Sequence, residues 1–148
     1  MTNQDLPLRR VVTLLDDNTY QRQRDTFDGT DTFLLEIDAS GVDDQHELFV
    51  RAGVALDQHT GTGVAKWSWL EDQLWSTLAL QPKETGVIVL RNVEDMVDRC
   101  LADLLDFVSI VTDLARRVYD FTESSFPHEM DLYLVLTGTG QSFAVDLS

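Results

Sequence analysis

The sequence predicts a single α/β domain in which helices pack against a small, mainly parallel three-stranded sheet. Three short apolar runs, residues 33–37, 87–90 and 132–136, are suited to strands of such a sheet. Segments with helical periodicity separate these runs, and strands joined through helices imply parallel neighbours with right-handed crossovers. The chain has 148 residues, 43% of them hydrophobic, which is enough for one domain with a core.

The N-terminal part predicts an additional strand at residues 11–15 (VVTLL). Residues 27–31 (FDGTD) supply turn chemistry before the run at residues 33–37, so we expect these two runs to form a hairpin or neighbouring strands. We assign residues 1–31 to an N-terminal extension. Three roles stay open for it: an added strand, a dimer contact, or a cover for the sheet edge.

A first helix is predicted after residue 41. Asp44 stands three residues before Glu47, which is the spacing of a capping box, and apolar residues follow among polar ones. Residues 57–63 (DQHTGTG) contain two glycines and no apolar side chain, so they form a loop that leads to the next helix.

The second helix contains all three tryptophans of the chain, Trp67, Trp69 and Trp75. At about 100° per residue, Trp67 lies on the same face as three leucines, and this face is expected to pack on the sheet. The leucines are Leu70, Leu74 and Leu78.

The opposite face of this helix is predicted to be a binding surface. Trp69, Asp72 and Ser76 share it, and Ser68 and Glu71 flank it. An exposed aromatic side chain next to carboxylates is typical of a protein-binding hot spot. The alternative is that Trp69 is covered by the glycine-containing loop or by the N-terminal extension.

A long helix and a last strand follow. Apolar residues at spacings of three and four form one stripe from residue 101 to residue 118, with Asp106 and Asp113 on the opposite face. The stripe consists of Leu101, Leu104, Leu105, Val108, Val111, Ala115 and Val118. Residues 120–129 predict a loop, residues 131–138 a strand, and residues 139–148 a tail that adds an edge strand or is loose.

Charge restricts the classes of partner. The chain has 26 acidic and 11 basic residues, which gives a net charge of −15. Such a protein repels nucleic acid and anionic membranes, so we expect neither as a direct ligand, and we expect cations or basic proteins instead. A surface charge that serves only solubility is the alternative.

The residues offer little support for enzyme chemistry. The three histidines, His46, His59 and His128, show no metal-ligand spacing, and Cys100 is the single cysteine. Glu71 and Asp72 are adjacent on a helix and point in different directions, which suits general acid-base catalysis poorly. We therefore expect no catalytic residue, no metal and no cofactor.

The same features favour a cytoplasmic location. The N-terminus lacks the pattern of a signal peptide, and aspartates interrupt the longest apolar segment, so no membrane span is expected. The lone cysteine fits a reducing compartment. We expect a monomer.

Residues 33–138 resemble the barstar family, the intracellular inhibitors of barnase-type ribonucleases. The family helix with the pattern Trp-Asp-Ala-Leu-x-Asp-x-Leu corresponds to residues 67–74 (WSWLEDQL). Residues 87–96 (VIVLRNVEDM) are similar to the second strand and its exit, and residues 107–117 (FVSIVTDLARR) to the last helix. Residues 132–138 (LYLVLTG) are similar to the final strand.

This resemblance implies a barstar-like domain at residues 32–138 that inhibits a basic ribonuclease. Asp72 matches the acidic position whose carboxylate enters the ribonuclease active site, and Asp113 falls near the acidic residue of the last helix. Three features depart from the family. Ser68 replaces an aspartate, Trp69 stands where a small residue is usual, and the loop lacks its Tyr and Phe.

The sequence thus predicts an inhibitor or immunity protein that presents helix carboxylates where phosphates would bind. The alternative is a barstar-like module that binds a different basic protein and inhibits no ribonuclease. We assign partner contacts to His59, Gly61, Gly63, Ser68, Trp69, Glu71, Asp72, Ser76 and Asp113.

Overall fold

The computed structural model describes residues 11–27, 31–56, 66–140 and 143. Its strands are β1 (Val12–Asp16), β2 (Thr32–Asp38), β3 (Thr85–Arg91) and β4 (Asp131–Gly138). Its helices are α1 (Asp17–Phe27), α2 (Gln45–Ala55), α3 (Trp67–Ala79), α4 (Glu94–Arg99), α5 (Leu101–Tyr119) and α6 (Phe121–Ser124).

The four strands form one sheet in the order β1-β4-β3-β2, and every neighbouring pair is parallel. Ile88 of β3 is level with Leu35 of β2 on one side and with Leu134 of β4 on the other. The prediction that residues 33–37, 87–90 and 132–136 are parallel neighbours is confirmed. The mixed α/β class is confirmed with it, and the sheet has four strands where we expected three and an extension.

The predicted pairing of the first two strands is wrong. β1 pairs with β4, with Val12 level with Leu134, and β1 and β2 are not neighbours in the sheet. The reason is helix α1, which starts directly after β1 and carries the chain to the opposite edge of the sheet. Sequence patterns missed α1 because it is mostly polar. Among the α1 side chains that the structure describes, Tyr20 is the large one that is completely buried.

Helix α2 begins as predicted. The Asp44 side chain accepts a hydrogen bond from the Glu47 backbone N–H at 2.8 Å, which satisfies one free donor of the first turn. The Glu47 carboxylate does not complete the capping box. It accepts a hydrogen bond from Arg51 Nε at 3.0 Å, one turn further along the helix.

The sheet separates two apolar layers. On one face, α2, α3 and α5 cover the main core, where Ile37, Ile88 and Leu134 are fully buried. On the other face, Tyr20 of α1 packs against Val89 and its neighbours in a smaller cluster. Alternating side chains of the same strands thus serve opposite layers.

Helix α5 confirms the predicted long helix, but not every member of its predicted stripe is in the core. Leu104, Phe107, Val111 and Leu114 are buried. Leu101 and Leu105, expected in the same stripe, are 47% and 57% exposed. The apolar surface of the helix is wider than the part that faces the sheet, so it continues around one flank.

A buried polar group anchors α1 to the carboxyl ends of the strands. Asp17 is 6% exposed and accepts hydrogen bonds from Arg91 Nη2 at 3.0 Å and Thr137 Oγ1 at 2.7 Å. Burial alone would raise the pKa of Asp17, but hydrogen bonds from Arg91, Thr137 and Gln21 outweigh it and lower the pKa. The Tyr20 hydroxyl donates a hydrogen bond to the nearby Glu36 carboxylate. Burial of the hydroxyl is the main cause that raises the pKa of Tyr20, and the Glu36 carboxylate raises it further.

Part of the C-terminal tail packs on the domain. Phe143 is 6% exposed, and its ring would lie 2.7 Å from a Cβ atom placed on Gly138. A Cβ atom at position 138 would therefore force the Phe143 ring to shift. Among the helices that the structure describes, none is both long enough and apolar enough to cross a membrane.

Candidate functional site

The outer face of helix α3 carries one exposed polar strip. Leu70, Leu74 and Leu78 are buried beneath the helix, as predicted. Ser68, Asp72 and Ser76 are exposed on the opposite side, one turn apart from each other. The three buried leucines fix the position of the helix and, with it, the position of the exposed strip.

Asp72 stands at the centre of this strip. Within the ranges that the structure describes, its carboxylate has neither a hydrogen-bond donor nor a cationic partner. The side chains one turn before and one turn after it are serines, too short to shield it. Asp72 is therefore a charged group held on a rigid helix and available to a cation from outside.

The neighbouring carboxylate, that of Glu71, is already paired. Glu71 Oε2 lies 2.8 Å from Arg117 Nη1 of helix α5, and both side chains are about one-third exposed. The Arg117 guanidinium also lies over the Trp75 ring, 4.7 Å from the ring centroid. Because Arg117 pairs with Glu71, Asp72 is the one of these two adjacent carboxylates that has no cationic partner among the described residues.

A cleft of about 400 Å³ lies beside this ion pair, between α3 and the turn at the end of α6. Glu71, Asp72, Trp75 and Arg117 form one side, and Ser124 and Ser125 form the other. Ser125 ends α6 with a φ of 66°, an uncommon conformation for a residue with a side chain. The Ser124 hydroxyl donates to the Arg117 carbonyl at 2.5 Å, which fixes the turn against α5.

The expected contrast between a core Trp67 and a solvent-facing Trp69 is wrong. Both tryptophans are half-buried, and both contact the Phe49 ring of α2 edge-on, at centroid distances of 5.0 Å and 6.3 Å. Trp69 occupies the flank of α3 that faces α2, so a neighbouring helix covers part of it. The loop and the extension that we considered as covers are not needed for this contact.

The third tryptophan, Trp75, occupies the opposite flank of α3. Its ring meets Phe126 edge-on at 4.9 Å, and Phe126 in turn meets His128 at the same distance. These three rings connect the cleft to the segment that enters β4. The sequence indicated the tryptophan but not its two partners, because they follow a polar stretch that predicts only a loop.

The remaining predicted contacts are placed as follows. Asp113 of α5 pairs with Arg116 of its own helix, and its side chain is 42% exposed. The α5 residue that forms an ion pair with Glu71 of α3 is Arg117, one turn beyond Asp113. His59, Gly61 and Gly63 lie outside the described residues.

Sequence reasoning missed the role of Arg117. Its basic side chain places a positive charge beside the predicted binding surface, to which we assigned Glu71 and Asp72 but no arginine or lysine. The helical wheel of α5 places Arg117 on a different side from Leu101 and Leu105, but the wheel of one helix does not show which neighbour lies there. In the part of the chain that the structure describes, no group of three His, Cys, Asp or Glu residues is arranged to hold a metal ion.

No protein-family model matches this chain, and no curated protein matches it significantly.

Proposed function

We propose that this protein is an inhibitor that binds the basic active site of a barnase-type ribonuclease through the outer face of α3. The observation that carries the proposal is the Asp72 carboxylate, exposed and unpaired among the described residues on a helix anchored by three buried leucines. A ribonuclease site is built to bind phosphates, so a fixed carboxylate can occupy the place of one phosphate. The resemblance of residues 67–74 to the inhibitory helix of the barstar family supports the same assignment.

Electrostatics supports a basic partner. A net charge of −15 attracts a cationic enzyme over long range and accelerates encounter. The rigid helix limits the conformational entropy that is lost when Asp72 is ordered in the complex. Glu71, held by Arg117, contributes less than Asp72, because it must exchange one cation for another.

A second candidate is a module that binds a different basic protein. The specific observation in its favour is Arg117, which places a positive charge beside Asp72. A partner that fits this face must present a cation to Asp72 and either leave Arg117 paired or supply an acceptor for it. The family resemblance implies an acidic residue near this part of the last helix, whereas Arg117 is basic. The arrangement of charges on the partner can therefore differ from that of a barnase-type ribonuclease.

The test is inhibition of RNA cleavage by a purified barnase-type ribonuclease, combined with calorimetric titration of the two proteins. We expect stoichiometric inhibition by the native chain. We expect binding to weaken at least about tenfold in Asp72→Asn, because the neutral amide leaves a partner cation without its counter-ion. Asp25→Asn is the matched control, since Asp25 is exposed on α1 at the opposite face of the sheet.

Salt dependence separates the outcomes further. The association rate should fall as ionic strength rises, because screening shortens the range of the attraction to roughly 10 Å at 0.1 M salt. If the chain does not inhibit the ribonuclease and no heat of binding is measured, the inhibitor function is rejected. In that case, Asp72-dependent binding to another basic protein would support the second candidate.

A further inference from the structure

Helix α1 covers only part of its face of the sheet. Near the carboxyl ends of the strands, Tyr20 packs with Val89, and Asp17 accepts a hydrogen bond from Arg91. Toward the amino ends, a cleft of about 370 Å³ lies between the strands and the last two turns of the helix. Because both faces of a parallel sheet are normally covered, an opening in one of them is a place where a ligand can reach the sheet.

Strands and helix supply different walls of this cleft. In the register of the sheet, Val87 of β3 is level with Tyr133 of β4, and Thr13 of β1 is level with Val135 of β4. All four side chains line the cleft from the sheet side, and Gln23 lines it from α1. The cleft therefore joins side chains that are far apart in the sequence and meet only in the folded chain.

Burial increases from the rim of the cleft to its floor. Gln23 and Thr26 on the helix are exposed, and Thr13 on the sheet is half-buried. Val87 and Val135 are only 4% and 5% exposed. This gradient describes a concave site with an apolar floor, and its volume lies in the range of about 300–1,000 Å³ that is usual for small-molecule pockets.

The cleft has no formally charged side chain among the described residues that line it. This is a local property, because 25% of the residues in the chain are charged. Asp131 shares this face of the sheet, level with Thr85, but it is not one of the described lining residues. An ion in the cleft would lose its hydration without gaining a counter-ion from this lining, so the lining selects uncharged ligands.

Neutral hydrogen-bonding groups surround the apolar floor. Within the part of the chain that the structure describes, the hydroxyls of Thr13, Thr32 and Thr85 have no hydrogen-bond partner. The Thr26 hydroxyl donates to the Gln23 carbonyl at 2.5 Å, and its oxygen can still accept. A molecule with a neutral amine, amide, hydroxyl or carbonyl group can therefore be held in a defined orientation.

We propose that this cleft binds a small uncharged molecule with a flat apolar ring system and one or two neutral polar groups. The ring system lies on Val87 and Val135, between the sheet and α1, and the polar groups contact the threonine hydroxyls. Such a site goes beyond the inhibition proposed for α3. Because α3 packs on the opposite face of the sheet, both sites can be occupied at the same time.

The neutral dye N-phenyl-1-naphthylamine is a suitable probe, because it has a flat ring system, one secondary amine and a fluorescence that rises in apolar surroundings. Its sulfonated counterpart, 1-anilinonaphthalene-8-sulfonate, has the same rings and one negative charge, so it is the matched control ligand. In titrations of the full chain, the neutral dye should saturate at about one molecule per chain. The sulfonate should bind at least about tenfold more weakly. Equal affinities of the two dyes overturn the proposal.

Thr26→Phe tests the location of the site. It adds a ring to the cleft from the exposed side of α1 and should weaken binding of the neutral dye at least about tenfold. Thr122→Phe is the matched control, since Thr122 is also exposed on a helix, but on α6 and outside the cleft. Circular dichroism confirms that both variants are folded. A loss of binding in both variants, or in neither, overturns the proposal.

Amide chemical shifts of the native chain locate the dye without any substitution. The largest changes on addition of the neutral dye should occur at Val87, Val135 and Gln23. Changes that are largest at Leu101 and Leu105 would show that the dye binds exposed leucines of α5 instead. That result, or the lack of any saturable binding, overturns the proposal.

Discussion

Arg117 Nη1 lies 2.8 Å from Glu71 Oε2 and thereby joins the long helix α5 to the tryptophan-rich helix α3. The same guanidinium covers the Trp75 ring, so one side chain fixes both the charge and the packing on this flank of α3. The result is a helix on which Glu71 is paired, while the neighbouring Asp72 has no cationic partner among the described residues. The position of a single arginine therefore decides which of the two adjacent carboxylates is paired.

Arg117→Ala is predicted to lower the free energy of unfolding by about 1 kcal/mol, from loss of the ion pair and the cation–π contact at a partly exposed site. Chemical denaturation measures this. Arg116→Ala is the control, because its pair with Asp113 is mainly exposed and its loss should change stability by less than about 0.5 kcal/mol. Equal effects of the two substitutions would show that Arg117 does not join the helices.

Trp67→Ala and Trp69→Ala are both predicted to destabilise the fold, each by about 2 kcal/mol or more, because both rings pack on Phe49 and against the main core. Leu80→Ala, at a side chain 79% exposed at the end of α3, should change stability by less than about 0.5 kcal/mol. Thermal or urea unfolding distinguishes them. If Trp69→Ala melts like the native chain, Trp69 is available for a partner as the sequence first indicated.

Gly138→Ala is predicted to destabilise the protein by about 1–3 kcal/mol, because its methyl group would overlap the buried Phe143 ring. The double variant with Phe143→Ala provides the control. In that background the added methyl group has space, so Gly138→Ala should cost clearly less than it does alone. If Gly138→Ala lowers the free energy of unfolding equally in both backgrounds, the effect does not arise from overlap with the Phe143 ring.

Much of the central fold could be predicted from the sequence, because the runs that form β2, β3 and β4 are apolar and the helices between them have clear periodicity. Helix α1 could not, since it is mostly polar and is held by the buried Tyr20 and by polar contacts such as that of Asp17 with Arg91. These contacts join residues 74 positions apart, and local patterns contain no information about them. The same limitation caused the wrong pairing of β1.

The candidate site was predicted in part for a related reason. A helical wheel places Asp72 and Ser76 outward and three leucines inward, and the structure agrees. The wheel treats the helix as if it had only an inside and an outside. Neighbouring helices also cover the two flanks, so Trp69 meets Phe49 and Glu71 meets Arg117, which one helix alone does not reveal.

The last prediction concerns acid. The pKa of Asp17 is lower in the folded protein than in the unfolded chain, so the stability it contributes is present above the unfolded pKa of about 4 and is lost as pH falls through the folded pKa. Asp17→Asn should therefore be less stable than the native chain at neutral pH, by about 2–3 kcal/mol, since Arg91 loses its carboxylate. The difference should shrink as urea unfolding is repeated at progressively lower pH. Asp25→Asn, exposed on the same helix, should keep the native pH profile. A constant difference between the native chain and Asp17→Asn across this range would mean that the charge of Asp17 does not anchor α1.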